Sequence, residues 1–215
     1  MITCDIAIVG GGIIGCTIAR ELSRFSARTI VIEAANDIAC GTTKANGGLI
    51  HSGYDPTPGT MKSKVNARGN KLYSAWAEEL GFEFKRTGSM VLAFSPSGCK
   101  HLQTLLENGH ANGVEDLEII GPERIHQLEP QASPAAIQAL YCPHTGIVDP
   151  FDVAIAAAEN AAANGVEFLF NAPVQAINRT DSAFVLHTPK GMVSAQWLIN
   201  AAGCYADEIS NMAGA

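Results

Sequence analysis

Residues 4 to 9, Cys-Asp-Ile-Ala-Ile-Val, form a short apolar run of strand type. Gly10-Gly11-Gly12-Ile13-Ile14-Gly15 then leads into Cys16 to Arg24, where apolar residues return at helical spacing. The pattern predicts a strand, a tight turn and a helix. A second β-branched run, Thr29 to Ile32, ends at Glu33, so a complete βαβ unit closes within the first 33 residues. The rhythm then stops in a Gly, Thr and Asn-rich stretch, Gly41 to Gly53, followed by the turn chemistry of Asp55-Pro-Thr-Pro-Gly59. A long loop of this kind tends to be functional. From Thr60 to Leu80 the positions Val65, Leu72, Trp76 and Leu80 predict an amphipathic helix, with Gly81 as its stop.

Residues 82 to 143 mix strand-like pieces (Ser89 to Phe94, Leu117 to Ile120, Ile137 to Cys142) with helical ones (His101 to Asn112, Pro122 to Leu128) and have no βαβ rhythm. They read as an insertion. The first domain resumes at Asp149-Pro150, an N-cap followed by proline at the first helical position, and its helix ends at Asn164-Gly165. A third buried strand, Val166 to Phe170, follows. Val174 to Asn178, Ala183 to Thr188 and Met192 to Ala195 read as a meander, and Trp197 to Ala201 as a separate last strand.

Composition narrows the class. The chain of 215 residues is 47% hydrophobic and 16% charged, which is globular. Its net charge of −7, from 14 basic and 21 acidic residues, argues against a nucleic-acid partner. The longest nearly apolar stretch, Ile6 to Cys16, is too short to cross a bilayer, and no Lys or Arg precedes it as in a signal peptide. A cytoplasmic location without a transmembrane segment is expected, with peripheral attachment at the inner membrane face as a variant. The six cysteines are irregularly spaced and lack Cys-x-x-Cys, so neither a disulfide framework nor a metal site is expected.

Gly10-x-Gly12-x-x-Gly15 sits between strand and helix, and Glu33 ends the next strand. The first glycine suits the turn, the second lets backbone reach a pyrophosphate, and the third lets helix pack on strand. The helix entrance at Ile13 and Ile14 supplies amide donors and a favourable dipole. Glu33, with Ala34 beside it, is placed to take ribose hydroxyls. The plain alternative is a glycine-rich turn without a ligand. The motif does not separate NAD from FAD, but the next buried strand comes only at Val166, and a flavin domain with an inserted substrate domain fits that spacing better.

These residues, together with Thr42-Thr-Lys-Ala-Asn-Gly-Gly-Leu-Ile-His-Ser-Gly53, Pro58-Gly-Thr-Met-Lys62, Cys142-Pro-His-Thr-Gly-Ile-Val-Asp149 and Ile199-Asn-Ala-Ala-Gly-Cys-Tyr-Ala-Asp207, make the chain resemble the FAD-dependent oxidoreductases of the D-amino-acid-oxidase superfamily. The nearest types are flavin-linked glycerol-3-phosphate dehydrogenases and L-2-hydroxyglutarate dehydrogenases or oxidases. Pro58 to Lys62 and Asn66-x-Arg68-Gly-Asn70 look more like the first, Cys142 to Asp149 more like the second. The resemblance implies an α/β fold: a Rossmann-like FAD-binding domain (βαβ plus β-meander) over 1–80 and 148–215, with an inserted α+β substrate-domain portion over 81–147. Relatives of this kind are about twice as long, so a C-terminally truncated chain or fragment is expected, with a partner chain as one source of the missing half. In the family the Thr42 to Gly53 segment lies along the FAD, which implies cofactor roles for Thr42, Thr43, Asn46 and Gly47 and places His51 near the flavin ring. Val174 is implied in backbone contact with the adenine, and Ala202 and Gly203 in close approach to the cofactor.

Lys44, Lys62, Lys64, Arg68 and Lys71 put five of the 14 basic residues between 44 and 71, where Asp55 is the only acid. The patch suits a small anionic substrate, with Lys62 and Tyr54 as candidate contacts; a solvated helix face is the alternative. Oxidising an alcohol on a flavin moves a hydride from carbon while a base takes the hydroxyl proton, and histidine suits that task near neutral pH. His51 is the first candidate base, a structural hydrogen-bonding role its alternative. His144 is a weaker candidate; His101, His110, His126 and His187 read as surface residues. The electron acceptor, whether quinone, oxygen or a partner flavoprotein, is not legible. A nucleotide-binding module without catalysis is the competing function.

Overall fold

The computed structural model describes residues 1–214. The chain opens with β1 (Ile2–Val9), α1 (Ile13–Leu22) and β2 (Thr29–Ile32). A 3-10 turn over Thr42–Lys44 precedes β3 (Leu49–Ile50), α2 (Met61–Leu80), β4 (Phe84–Arg86) and β5 (Ser89–Ala93). Next come α3 (Pro96–Ala111), β6 (Glu118–Ile120), α4 (Pro122–Leu128), β7 (Gln138–Cys142) and β8 (Gly146–Val148). The last elements are α5 (Pro150–Ala163), β9 (Glu167–Leu169), β10 (Ala176–Arg179), β11 (Phe184–Thr188), β12 (Gly191–Asn200) and α6 (Ala206–Ala213).

By internal contacts the chain divides into two units. The first comprises Met1–Gly47, Leu80–Phe82 and the chain from Asp149 onward. It is built on a six-stranded sheet in the order β10-β11-β12-β1-β2-β9. β12, β1, β2 and β9 run parallel, while β10, β11 and β12 form an antiparallel meander. Parallel strands must be covered on both faces, and all four residues of β2 are accordingly buried. Ile8 and Val31 point to one face and pack with Ala19 of α1 and Ala161 of α5. Ala7, Val9, Ile30 and Ile32 point to the other and join Leu186, Val193 and Ile209. Ala7, Ile8 and Val9 of β1 alternate in direction and are all buried, so both faces of the sheet have to be covered. α5 starts where Asp149 Oδ1 accepts the Phe151 amide at 2.8 Å, with Pro150 at its first position.

The second unit comprises Gly48–Glu79 and Glu83–Val148. It holds two three-stranded sheets, β3-β8-β4 and β5-β7-β6. Leu102 and Leu105 of α3 pack with Leu117 and Leu140, and Ile125 of α4 packs with Ile120 and Ala139.

Besides β3, β4, β8 and α6, which the sequence reading lacks, three features depart from it. Residues 48–79, expected with the first domain, group with the second unit, because β3 pairs with the distant β8 and the Tyr73 ring of α2 lies 5.7 Å from the Phe84 ring of β4, tilted by 43°. The strands expected at 192–195 and 197–201 are one strand, β12, since β1 pairs along both halves of it. α3 begins five residues earlier than its apolar spacing suggests, where Ser95 Oγ accepts the Gly98 amide at 3.2 Å ahead of Pro96.

Candidate cofactor site

In the first unit, β1 ends at Val9 and α1 begins at Ile13, and the three motif glycines, Gly10 and Gly12 between them and Gly15 in the first turn of α1, have different duties. Gly10 has φ +109°, and a Cβ there would overlap the Ala201 carbonyl; a Cβ on Gly15 would overlap the Gly10 carbonyl. Both are therefore required by packing at the strand ends. A Cβ on Gly12 would meet only Thr43 Oγ1, at 3.2 Å, so this glycine leaves space that no protein atom fills.

Glu33 follows β2 directly, at the mouth of the turn. The Gly11 amide donates to its Oε2 at 2.6 Å and the Ala35 amide to its Oε1 at 2.8 Å. These charge-assisted bonds orient the carboxylate and occupy one lone pair on each oxygen, leaving the second on each for a pair of ligand hydroxyls. Gly12, the residue before α1, has no side chain to cap the helix, and Thr43 does so from the 3-10 turn: the Ile13 amide donates to its Oγ1 at 3.0 Å. Thr43 is buried, and its hydroxyl keeps a proton to donate. Asn46 braces the turn by donating to the carbonyls of Thr42 and Thr43 at 3.3 and 2.7 Å.

These elements enclose a cavity of about 670 Å³. Of the residues expected at the cofactor, Gly10, Gly12, Glu33, Ala34, Thr42, Thr43, Val174, Ala202 and Gly203 line it. Ile13, Ile14, Gly15, Asn46 and Gly47 are not in its lining; Ile14 is exposed and Gly15 is packed beneath the turn. Cys40, Cys204, Tyr205 and Glu208 line it unanticipated. Three of them follow β12, whose C-terminal end lies beside that of β1, and in a parallel sheet the ends of neighbouring strands converge on one crevice. Glu33 and Glu208 are acidic and the lining has no Lys or Arg, so a bound diphosphate would rely on main-chain amides and the α1 dipole.

The thiols give a reading of this cavity that needs no turnover. Burial, with a smaller contribution from Glu33, pushes the Cys16 thiol up to about 12, and burial pushes Cys4 up to about 11. At neutral pH both are therefore expected to alkylate about tenfold or more slowly than exposed Cys204. FAD should protect Cys204 and Cys40 but leave exposed Lys100 and other sites outside the cavity unchanged; mass spectrometry of iodoacetamide-treated and amine-labelled chain measures both.

The remaining expected residues belong to the second unit. His51 follows β3 and is exposed. The Tyr54 phenol is raised by burial, partly offset by its hydrogen bond with Ser89. Lys62 lies on exposed α2, its Nζ 3.9 Å from Asp55 Oδ2. Folding brings Glu115 to Lys71 at 3.3 Å, so the cationic window is less uniform than the sequence suggests. Among the described residues Lys64 and Arg68 form no ion pair. Among those residues no helix is long and apolar enough to cross a membrane.

A family model described as FAD dependent oxidoreductase, DAO, matches residues 5–215. A glycerol 3-phosphate dehydrogenase of Caloramator mitchellensis is 43% identical over 208 residues, covering 97% of this chain and 43% of that protein. The mitochondrial L-2-hydroxyglutarate dehydrogenase of Homo sapiens is 34% identical over 224 residues, covering 98% and 48%. The dithionite-reduced L-alpha-glycerophosphate oxidase from Mycoplasma pneumoniae, a structure with FAD bound, superposes with a TM-score of 0.95 at 32% identity over 100% of this chain and 58% of that one. The chain thus spans about half the length of the curated relatives it matches. With the glycine turn, the Glu33 clamp and a match along nearly its whole length, the chain belongs to the DAO family of FAD dependent oxidoreductases, and its cofactor is FAD.

Proposed function

We propose that the chain is the cofactor-binding part of an enzyme that oxidises the alcohol carbon of a small anionic substrate of the glycerol 3-phosphate type. The observation that carries the cofactor half of this reading is the Glu33 carboxylate, fixed by two backbone amides beside the open face of Gly12. The amides at the start of α1 hold the diphosphate, Glu33 the ribose hydroxyls and Val174 the adenine, while Thr42, Thr43, Ala202 and Gly203 border its course. Bound FAD supplies the acceptor for the hydride that leaves the substrate carbon. His51 takes the hydroxyl proton. Lys62, with Tyr54, meets the substrate anion; its exposed pairing with Asp55 at 3.9 Å is of the kind that contributes little and leaves the ammonium available. The 43% identity to a glycerol 3-phosphate dehydrogenase supports this substrate class. L-2-Hydroxyglutarate is the second reading, supported by Cys142 to Asp149 and by the human relative.

The test is anaerobic loss of the visible flavin band in the FAD-loaded chain. Bleaching by glycerol 3-phosphate and not by L-2-hydroxyglutarate supports the first reading, and the reverse supports the second. Flavin retained without bleaching by either would make the chain a nucleotide-binding module. Reoxidation rates with oxygen, a quinone analogue and a partner flavoprotein then identify the electron acceptor; a quinone would place the protein at the inner face of the membrane. His51→Ala is expected to slow bleaching about 100-fold with FAD affinity unchanged, the size expected for a lost general base. An unchanged rate removes His51 from the mechanism.

A further inference from the structure

Asn70 of α2 is 5% exposed and is hydrogen-bonded at both ends of its side-chain amide. Its Nδ2 donates to the carbonyls of His144, His51 and Ile50 at 3.0, 3.2 and 3.4 Å. Its Oδ1 accepts from the Arg86 guanidinium at 3.0 Å. A carbonyl oxygen can only accept and a guanidinium can only donate, so these neighbours fix which way the amide points. Arg86, at the end of β4, is itself anchored: it donates to the carbonyls of His144 and Asn70 and to the Ser74 hydroxyl, and it lies 5.0 Å from the Phe84 ring centroid.

The geometry of the small sheet gives this network its meaning. β3 and β8 are antiparallel with Ile50 opposite Gly146, so His51, just past β3, and His144, just before β8, leave the sheet at the same end. Strands of two and three residues are too short to hold that end by themselves. The His144 ring has its own partner, Asp116 Oδ2 at 3.0 Å from Nε2. The His51 ring makes no hydrogen bond among the described residues, which leaves it open to a substrate and leaves its backbone to set its position.

We propose that Asn70 is a positioning residue for His51: one buried amide, steered by Arg86, ties the His51 carbonyl to the His144 carbonyl and so sets where the imidazole stands. The role rests on the reading of His51 as the base. Displacing a reacting group by about 1 Å can cost on the order of 100-fold in rate, so a carbonyl clamp on the base itself has kinetic weight. It also gives a role to Asn70 within Asn66-x-Arg68-Gly-Asn70, a run that the cofactor site leaves unused.

Asn70→Asp tests this. The carboxylate keeps the shape and the acceptor for Arg86 but offers no donor to the three carbonyls. Hydrogen exchange in the FAD-loaded chain should quicken about tenfold in peptides covering 49–52 and 144–147, and not in β5 or β7. Flavin bleaching by the substrate should slow about tenfold or more with KM within about twofold and with an altered pH profile, while Asn70→Gln, which keeps the donors on a longer arm, recovers part of the rate. Unchanged exchange at 49–52, or equal quickening throughout the second unit, overturns the proposal whatever the rates. Local quickening with a parental rate and pH profile also overturns it, provided His51→Ala is slow. If His51→Ala bleaches as fast as the parent, the base assignment fails and takes the role of Asn70 in the reaction with it. Should Asn70→Asp not fold, Asn70→Ser, which retains a single donor, is read against the same criteria.

Discussion

Gly12→Val abolishes FAD retention and leaves the chain folded. A Cβ at position 12 has one close neighbour, the Thr43 hydroxyl oxygen at 3.2 Å, which has to give by a few tenths of an ångström; the substitution otherwise puts its bulk into the cavity and not into the core. The diphosphate loses its approach to the amides and the positive dipole end at the start of α1, beside a lining that carries two carboxylates and no Lys or Arg. FAD affinity should fall at least about 100-fold, equivalent to about 2.7 kcal/mol, with a melting temperature close to that of the unliganded parent. Flavin absorbance after gel filtration and a thermal melt are sufficient. The contrast with Gly15 makes the test specific: Gly15→Val drives side-chain atoms into the Gly10 carbonyl, so the fold itself should suffer. Parental FAD affinity in Gly12→Val would show that the diphosphate does not pass this glycine.

The second large effect is expected at Glu33. Glu33→Gln preserves volume, yet an amide cannot accept at both ends. One end still takes a backbone N–H; the other sets an NH2 group against the second N–H, whether of Gly11 or Ala35. A hydrogen bond to a charged group contributes about 1.5–3 kcal/mol, so the turn loosens before any ligand is considered. A ligand diol also loses a charged acceptor. FAD affinity should fall about 10- to 100-fold, and the melting temperature should fall too, unlike in Gly12→Val. Isothermal titration and thermal melts on the two variants separate a ligand-facing residue from one that serves ligand and fold together. A Glu33→Gln chain with parental affinity would remove the carboxylate from ribose recognition.

Much of the first unit is legible in the residue order because its signals are local. Cys4 to Val9 and Thr29 to Ile32 are dense β-branched and apolar runs, Gly10 to Gly15 permits one kind of turn, and Asp149-Pro150 marks a helix start by its own chemistry; the observed β1, β2 and α5 follow these marks within a few residues. The second unit is less legible. Leu49–Ile50, Phe84–Arg86 and Gly146–Val148 are too short to show a period, and they are strands only because the first two each pair with the third. The same long-range pairing moves 48–79 out of the unit its sequence neighbours suggest.

The site divides in the same way. The glycines and Glu33 stand out in the sequence because a diphosphate and a ribose demand those residue types near a helix entrance. That Gly10 and Gly15 serve packing while Gly12 faces the cavity, that Thr43 caps α1 from a turn 30 residues away, and that Asn70 joins the turns carrying His51 and His144 emerge only after folding. A residue's type and spacing determine which bonds its backbone and side chain are able to make. Which of those bonds form depends on neighbours brought from far along the chain, and that selection is made by burying the strands and helices together.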